Sequence, residues 1–358
     1  MRFALGVVVL VLAACSEAPT SVCIPEVDPS CEAPPEPGDE VIGGVNLTAL
    51  FAQPTPAEAD SARLDIPDTP TATSRTLTPL SPADGARRFA LALEDSLGRR
   101  VVTALVRVPG DASETSPLPV VVVLPEADDA GPADLLTEPD WGALVTSTVQ
   151  VALAYRGGTL DLEDASFPSA LPADPYRADV QDVLALVGAL EGVPRADDGR
   201  RALLGVGRGG TVALLAAPAL EAQAVVTLGA PTDLFAPSFV ADVRERLLGR
   251  DVATPFPAFD ALFQPVLETR TGGDLEAARR SLLALSPSRL GLSLPPVLAL
   301  HAAGDETVGQ DQLESLRQAL AQGGGQGVLE VVEGATHDSL VTLPRVRSSI
   351  ASFLSGVL

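Results

Sequence analysis

A glycine-rich corner between two apolar segments constrains the fold of this chain more than any other stretch. The apolar run Ala202–Val206 leads into Gly-Val-Gly-Arg-Gly-Gly over residues 205–210, and apolar residues at helical spacing follow over 212–215. Glycine tolerates unusual backbone dihedrals and close backbone contacts, so such a corner can join a strand tightly to a helix. The sequence therefore predicts a strand–turn–helix unit with Gly207 at its centre.

Strand signals precede this corner, and strands alternate with helices around it. Residues 88–93 and 101–108 bracket the Ser96-Leu97-Gly98 turn, which predicts a hairpin, with an edge strand near 74–77. The run Leu118–Leu124 is rich in β-branched residues and is typical of a strand buried on both faces. Further strands are predicted at 149–154, 224–228, 297–301 and 328–332, and further helices at 178–190, 310–320 and 345–354.

An antiparallel start followed by repeated strand–helix units predicts an α/β protein with one doubly wound, mostly parallel sheet. We expect this domain to span residues 46–358. Helical pieces broken by prolines over about 231–290 lie outside the alternation and are expected to form a partial lid.

The first 14 residues have the composition of an export signal. Arg2 supplies a positive charge, and the apolar stretch 4–14 is too short to span a membrane as a mature helix. It ends in Leu-Ala-Ala-Cys over 12–15, which resembles the lipobox of bacterial lipoproteins. The resemblance implies cleavage before Cys15, acylation of its thiol and attachment to a membrane of the cell envelope, at the periplasmic face or the outer membrane. The alternative is an ordinary secretory signal.

Residues 15–45 are expected to form a disordered spacer, because their richness in Pro, Glu and Ser leaves too little apolar surface to fold. Cys23 and Cys31 are the only cysteines besides Cys15. In an oxidising compartment such a pair suggests a small disulfide loop, whereas two cysteines without nearby histidines supply too few ligands for a metal. The formal net charge of −23 argues against nucleic-acid binding.

From about residue 87 onward the chain resembles α/β hydrolases of the prolyl oligopeptidase and dienelactone hydrolase type. The matching stretches are Tyr-Arg-Gly-Gly at 155–158, the helix over 179–190 with Asp182, Ala-Leu-Ser-Pro at 284–287, Pro296–His301 with Gly-Asp-Glu-Thr-Val at 304–308, and Glu-Gly-Ala-Thr-His-Asp at 333–338. The resemblance implies that Asp305 holds the position of the triad acid and His337 that of the triad histidine, in the chain order of the fold. A bare helix-capping role for Asp305 is the alternative.

Two departures from that pattern affect the chemistry. Gly207 stands where the family has its nucleophilic serine, and glycine has no atom that could attack a carbonyl group. After the strand ending at Leu124, Pro-Glu-Ala-Asp at 125–128 replaces the usual His-Gly-Gly, so Glu126, Asp128 and Asp129 are expected to place negative charge beside a developing oxyanion. A covalent serine-hydrolase mechanism is therefore excluded.

Other interpretations of the site residues remain open. Thr211 is a conceivable substitute hydroxyl, and His301 is expected to have a packing role.

The glycines at 205, 207 and 210 also fit a dinucleotide-binding fingerprint, but the strand that follows ends without the acid that would hold a ribose. The start of the following helix, with Arg208, could hold a small anion or carboxylate.

The sequence thus divides the possible functions into two classes, neither of which needs a cofactor. The first is a lipoprotein with impaired or absent serine-hydrolase activity that binds a small-molecule, acyl or peptide ligand, or an envelope partner. The second is an active esterase or serine-peptidase-type hydrolase that uses Asp305 and His337 with a displaced nucleophile or an activated water.

Overall fold

The computed structural model describes residues 38–68, 74–83, 85–110, 115–127, 141, 144–162 and 165–358. Its compact unit spans Val41–Leu358. Residues 41–45, assigned to the spacer on sequence grounds, belong to this unit because Val45 is buried in its core. Cys15, Cys23 and Cys31 lie outside the described residues, and so do Asp128 and Asp129.

The strands of the described residues are β1 (Val41–Ile42), β2 (Val45–Asn46), β3 (Ser74–Ala83), β4 (Ala86–Glu94), β5 (Arg100–Pro109), β6 (Leu118–Leu124), β7 (Val149–Ala154), β8 (Thr159–Leu162), β9 (Ala165–Pro168), β10 (Ala196–Val206), β11 (Ala224–Leu228), β12 (Val297–Gly304) and β13 (Gly327–Thr336). The helices are α1 (Leu47–Leu50), α2 (Pro56–Arg63), α3 (Leu144–Ser147), α4 (Arg177–Gly188), α5 (Arg208–Ala216), α6 (Pro237–Leu247), α7 (Phe259–Thr269), α8 (Leu275–Ala284), α9 (Asp311–Gly323), α10 (His337–Leu340) and α11 (Pro344–Val357).

Nine of these strands form one sheet in the order β13-β12-β11-β10-β6-β7-β5-β4-β3. The pairs from β13 to β7 are parallel, and the pairs β7–β5, β5–β4 and β4–β3 are antiparallel. The predicted fold class is therefore confirmed, including the antiparallel hairpin and its edge strand.

The central strands are buried on both faces, as their continuous apolar sequences predict. Every side chain of 120–124 in β6 is fully buried, and one large core and a smaller one lie on the two sides of the sheet. Parallel strands end at one edge of the sheet, so the loops after β6, β10, β12 and β13 meet there. Those four loops carry the candidate site.

Helices α6, α7 and α8 occupy the 231–290 segment that interrupts the alternation. Their aromatic side chains join the core, where Phe239 makes edge-to-face contacts with Phe256 and Phe259 at ring-centroid distances of 5.4 and 5.9 Å. Thr254, between α6 and α7, donates a 2.6 Å hydrogen bond to the carbonyl of Glu306, beside Asp305. This segment thus borders the candidate site, and its action as a lid stays a prediction. Among the described residues, no helix is long and apolar enough to cross a membrane.

Candidate active site

The glycine corner forms the tight strand-to-helix turn that the sequence predicts. Gly207 has φ 50° and ψ −119°, lies directly after β10, and caps the first turn of α5. The neighbouring glycines are needed for close approach: a Cβ on Gly205 would lie 2.2 Å from the carbonyl oxygen of Gly209, and one on Gly209 would lie 2.2 Å from that of Leu124. The corner therefore brings α5 against β6 and β10 at distances that only glycine allows.

Asp305 is held rigidly in the loop after β12. Its side chain is fully buried, and Oδ1 accepts hydrogen bonds from the backbone N–H groups of Thr307 (3.0 Å) and Val308 (2.7 Å). Oδ2 is left to face His337, whose Nδ1 lies 2.8 Å away. The turn thus fixes the carboxylate in one orientation toward the histidine, as the triad-acid assignment expects.

His337 lies between two carboxylates. It begins α10, directly after β13, and its side chain is 9% exposed. Nδ1 faces Asp305, and Nε2 lies 3.0 and 3.1 Å from the two carboxylate oxygens of Glu126. In a serine triad that nitrogen would contact the serine hydroxyl. The structure therefore brings Asp305 and His337 together as predicted and adds a third residue, Glu126.

The Glu126 side chain occupies the volume that a nucleophile at position 207 would need. An ideal Cβ built on Gly207 would lie 2.6 Å from Cδ and 2.9 Å from Oε1 of Glu126. The sequence predicts Glu126 beside a developing oxyanion, and in the structure its carboxylate turns inward onto Nε2 of His337. Sequence reasoning missed this contact, although the combination of a glycine at the nucleophile position and an acid after β6 carried a signal for it.

The two carboxylates stabilise the protonated form of His337. Burial alone lowers its pKa, but the hydrogen bonds to Asp305 and Glu126, together with their negative charges, outweigh burial and raise the pKa to about 10. At neutral pH the site is thus a carboxylate–imidazolium–carboxylate arrangement. In this state His337 is a proton donor, since it has no lone pair available to accept a proton.

Arg208 does not provide the expected anion site. Its side chain is 3% exposed, its Nε lies 3.1 Å from Oδ2 of Asp179 in α4, and its guanidinium lies 4.6 Å from the centre of the Tyr155 ring. The buried charge is therefore neutralised by a carboxylate from the neighbouring helix, and the contact anchors α5 behind the corner.

The remaining residues highlighted in the sequence have structural contacts. Thr211 is buried and donates its hydroxyl to the carbonyl of Pro231. His301 is also buried, with Nε2 2.7 Å from the carbonyl oxygen of Val308, in agreement with a packing role. Asp182 pairs with Arg156, whose Nε lies 3.0 Å from Oδ2. Within the described part of the chain, no group of three or more His, Cys, Asp and Glu side chains could hold a metal ion.

Comparison with known proteins supports the fold. No protein-family model matches the sequence, and neither does any curated protein. Among solved structures, the chain is similar to an acetyl xylan esterase from Paenibacillus sp. R4, with a TM-score of 0.59 and 16% identity over 87% of this chain and 99% of that one. It is also similar to acetyl xylan esterase 1 from Thermoanaerobacterium sp. JW/SL YS485, with a TM-score of 0.58 and 14% identity over 83% and 92% of the two chains.

A third similar structure is a puromycin-hydrolyzing peptidase from Mycobacterium tuberculosis, with a TM-score of 0.56 and 22% identity. Here the match covers 77% of this chain but only 40% of the peptidase. Sheet order, the glycine corner and these similarities define the α/β-hydrolase fold. At identities this low, the similarity extends to the fold alone.

Proposed function

We propose that this chain is a lipid-anchored protein of the cell envelope that has the α/β-hydrolase fold, lacks serine-hydrolase activity and binds an acyl or peptide ligand at the former active site. One observation carries the proposal. The Glu126 carboxylate fills the nucleophile position and contacts His337, while residue 207 has no side chain.

The charge state of His337 supports the loss of serine chemistry. In a serine hydrolase the histidine must begin neutral, because it accepts the proton of the attacking hydroxyl. Burial lowers the pKa of His337, but its hydrogen bonds to Asp305 and Glu126 outweigh that effect and raise the pKa to about 10. His337 therefore carries its proton before any substrate arrives. A serine restored at position 207 would therefore need both space and a neutral histidine.

The location in the envelope rests on the sequence alone. Arg2, the apolar stretch 4–14 and the lipobox-like ending at Cys15 support export and acylation. Attachment through Cys15 would place the folded unit beside a membrane surface, where exported ligands or partners reach it.

An active hydrolase with a displaced nucleophile is the second candidate. It is favoured by the contact between Glu126 and Nε2 of His337, because a carboxylate is itself a nucleophile in some hydrolytic enzymes. Both candidates share the absence of a nucleophilic serine, and the second adds a reaction of Glu126 with the ligand that the first only binds.

Labelling with a fluorophosphonate probe tests the proposal. The full chain, purified in detergent, is compared with Gly207→Ser, with Gly207→Ser/Glu126→Ala, and with the latter carrying His337→Ala as well. We expect no labelling of the unaltered chain and weak labelling of Gly207→Ser, where Glu126 still obstructs the new side chain. Strong labelling is expected only of the double variant, and it should vanish without His337. Labelling of the unaltered chain would refute the proposed loss of serine chemistry.

Lipid attachment is tested separately. Mass spectrometry of the membrane-extracted protein should find an acylated Cys15 at the new N-terminus, and Cys15→Ala should release the protein from the membrane fraction. An unmodified Cys15 within an uncleaved or differently cleaved chain would refute the anchor.

A further inference from the structure

We propose that Glu126 is a carboxylate nucleophile that cleaves activated acyl esters, with His337 as the proton donor to the leaving group. This inference rests on the proposed loss of serine chemistry and extends it, because the residue that displaces the serine would take over its reaction. The substrates are esters with good leaving groups, such as aryl esters and thioesters.

Geometry places the Glu126 carboxylate where an attacking atom belongs. Its Oε1 lies 2.9 Å from the position that a Cβ on residue 207 would take, and 3.0 Å from Nε2 of His337. In a serine triad the nucleophilic oxygen is bonded to Cβ of this residue and contacts Nε2 of the histidine, so the Glu126 carboxylate makes the same contact with the histidine from a position next to that Cβ. The side chain is 30% exposed, so a substrate can reach it from solvent.

The charges match the activated form of a serine site. A serine triad becomes reactive when the hydroxyl proton has moved to histidine, which pairs a negative oxygen with an imidazolium. Glu126 and His337 hold that pairing in the resting state, without any proton transfer. Asp305 stabilises the imidazolium from the other side through Oδ2 and keeps the ring oriented. The start of α5, directly after Gly207, adds a positive dipole end near the developing negative charge.

In the first step a Glu126 oxygen attacks the acyl carbon of the ester. A bond forms between that oxygen and the acyl carbon, and the bond from the acyl carbon to the leaving oxygen or sulfur breaks. His337 transfers its Nε2 proton to the leaving group, so an alcohol or thiol departs. The products in the site are a mixed anhydride on Glu126 and a neutral His337.

In the second step water hydrolyses the anhydride. Once Glu126 is acylated its negative charge is gone, so His337 loses one of the two carboxylates that hold its proton and becomes a competent base. His337 takes one proton from water, and the hydroxide attacks the anhydride. The bond between the two acyl groups breaks, which returns the Glu126 carboxylate, the imidazolium and a free acid. The net reaction is ester plus water to acid plus alcohol or thiol.

The mixed anhydride restricts the substrate class. A carboxylate is a far better leaving group than an alkoxide. The intermediate formed by attack on an ordinary alkyl ester therefore expels the Glu126 carboxylate again and keeps its alkoxide. Phenols and thiols, whose ordinary pKa values are about 10 and about 8.5, leave much more readily. Protonation by His337 assists them further. Aryl esters and thioesters therefore fit this reaction, whereas alkyl esters and peptides would bind without being cleaved.

The experiment measures p-nitrophenol release from p-nitrophenyl acetate by the full chain in detergent, with and without hydroxylamine. Hydroxylamine converts a glutamyl anhydride to a hydroxamate, which mass spectrometry locates in the peptide that contains residue 126. The variants are Glu126→Gln, His337→Gln and the matched control Glu306→Gln, which removes an exposed carboxylate that does not contact His337. Circular dichroism checks that each variant is folded.

We expect turnover with the unaltered chain and Glu306→Gln, background rates with Glu126→Gln, and a loss of about 100-fold with His337→Gln. The hydroxamate should form at Glu126 in the first two proteins only. Undiminished turnover in Glu126→Gln, turnover without a hydroxamate at residue 126, or no turnover at all would overturn the inference. None of these outcomes affects the loss of serine chemistry, which only fluorophosphonate labelling of the unaltered chain contradicts.

Discussion

The carboxylate of Glu126 lies 3.0 Å from Nε2 of His337 and within 2.6 Å of the place where a Cβ on residue 207 would stand. Glu126 and residue 207 therefore compete for one volume, and glycine at the corner is what lets the carboxylate reach the histidine. A charged group therefore fills the space beside Gly207, pairs with His337 and raises the pKa of its imidazole.

Competition for this volume predicts an energetic coupling between residues 126 and 207. Gly207→Ala should destabilise the fold, because φ at this position is positive and the new methyl group meets Glu126. In a Glu126→Ala background the contact is gone, so the same change should cost about 1 kcal/mol less. Chemical denaturation of the four proteins in this cycle measures the difference. Equal costs in both backgrounds would show that the two side chains do not compete.

Close backbone contact at the corner predicts a large effect at Gly205. A methyl group there would meet the backbone oxygen of Gly209 at 2.2 Å, which cannot move without displacing α5. Gly205→Ala should therefore lower the free energy of unfolding by about 3 kcal/mol or more. Gly356→Ala in α11 is the control, because a Cβ there meets nothing within 4 Å and should be neutral or stabilising by about 0.5 kcal/mol. Similar urea midpoints for the two variants would contradict the packing described for the corner.

The buried ion pair behind the corner predicts a second stability difference. Asp179→Asn removes the carboxylate that faces the buried guanidinium of Arg208, and we expect a loss of about 3 kcal/mol. Asp260→Asn provides the comparison, because Asp260 pairs with Arg246 on the surface and is 83% exposed. Its loss should cost less than about 1 kcal/mol. A small effect of Asp179→Asn in thermal denaturation would show that this pair does not anchor α5.

The raised pKa of His337 predicts a pH-dependent contribution of Glu126 to stability. Burial opposes the charge on His337, but Asp305 and Glu126 raise its pKa from 6.5 to about 10. A raised pKa stabilises the folded state fully below about pH 6.5, and this stabilisation is lost as the pH rises through 10. Glu126→Gln should therefore lower the free energy of unfolding more at pH 6 than at pH 10. The difference should be about 1.4 kcal/mol for each unit by which Glu126 raises the pKa of His337. A cost independent of pH would exclude Glu126 as a charged partner of His337.

Much of the fold could be predicted because its signals are local. The β-branched run Leu118–Leu124 and the apolar segment Ala224–Leu228 became buried parallel strands, and the Ser96-Leu97-Gly98 turn joins β4 to β5 as expected. The pairing of Asp305 with His337 was also predictable, since the resemblance assigns both to loops at the same sheet edge.

The contacts of Glu126 and Arg208 were not predictable, because they depend on side-chain direction between distant segments. Glu126 turns inward only because residue 207 leaves space, and that space depends on the backbone conformation of the corner. Arg208 is neutralised by Asp179, which reaches it from a different helix through packing that no local pattern encodes. In both cases the residue types were visible, but their partners were not.

Nitrogen-15 NMR of the imidazole rings tests the central claim most directly. The chain has two histidines, so Glu126→Gln and His301→Gln suffice to assign their signals. If the Glu126 carboxylate lies on Nε2, His337 should be doubly protonated at pH 8, and its pKa of about 10 should fall in Glu126→Gln. A neutral His337 ring at pH 8 that is unaffected by Glu126→Gln would contradict the account.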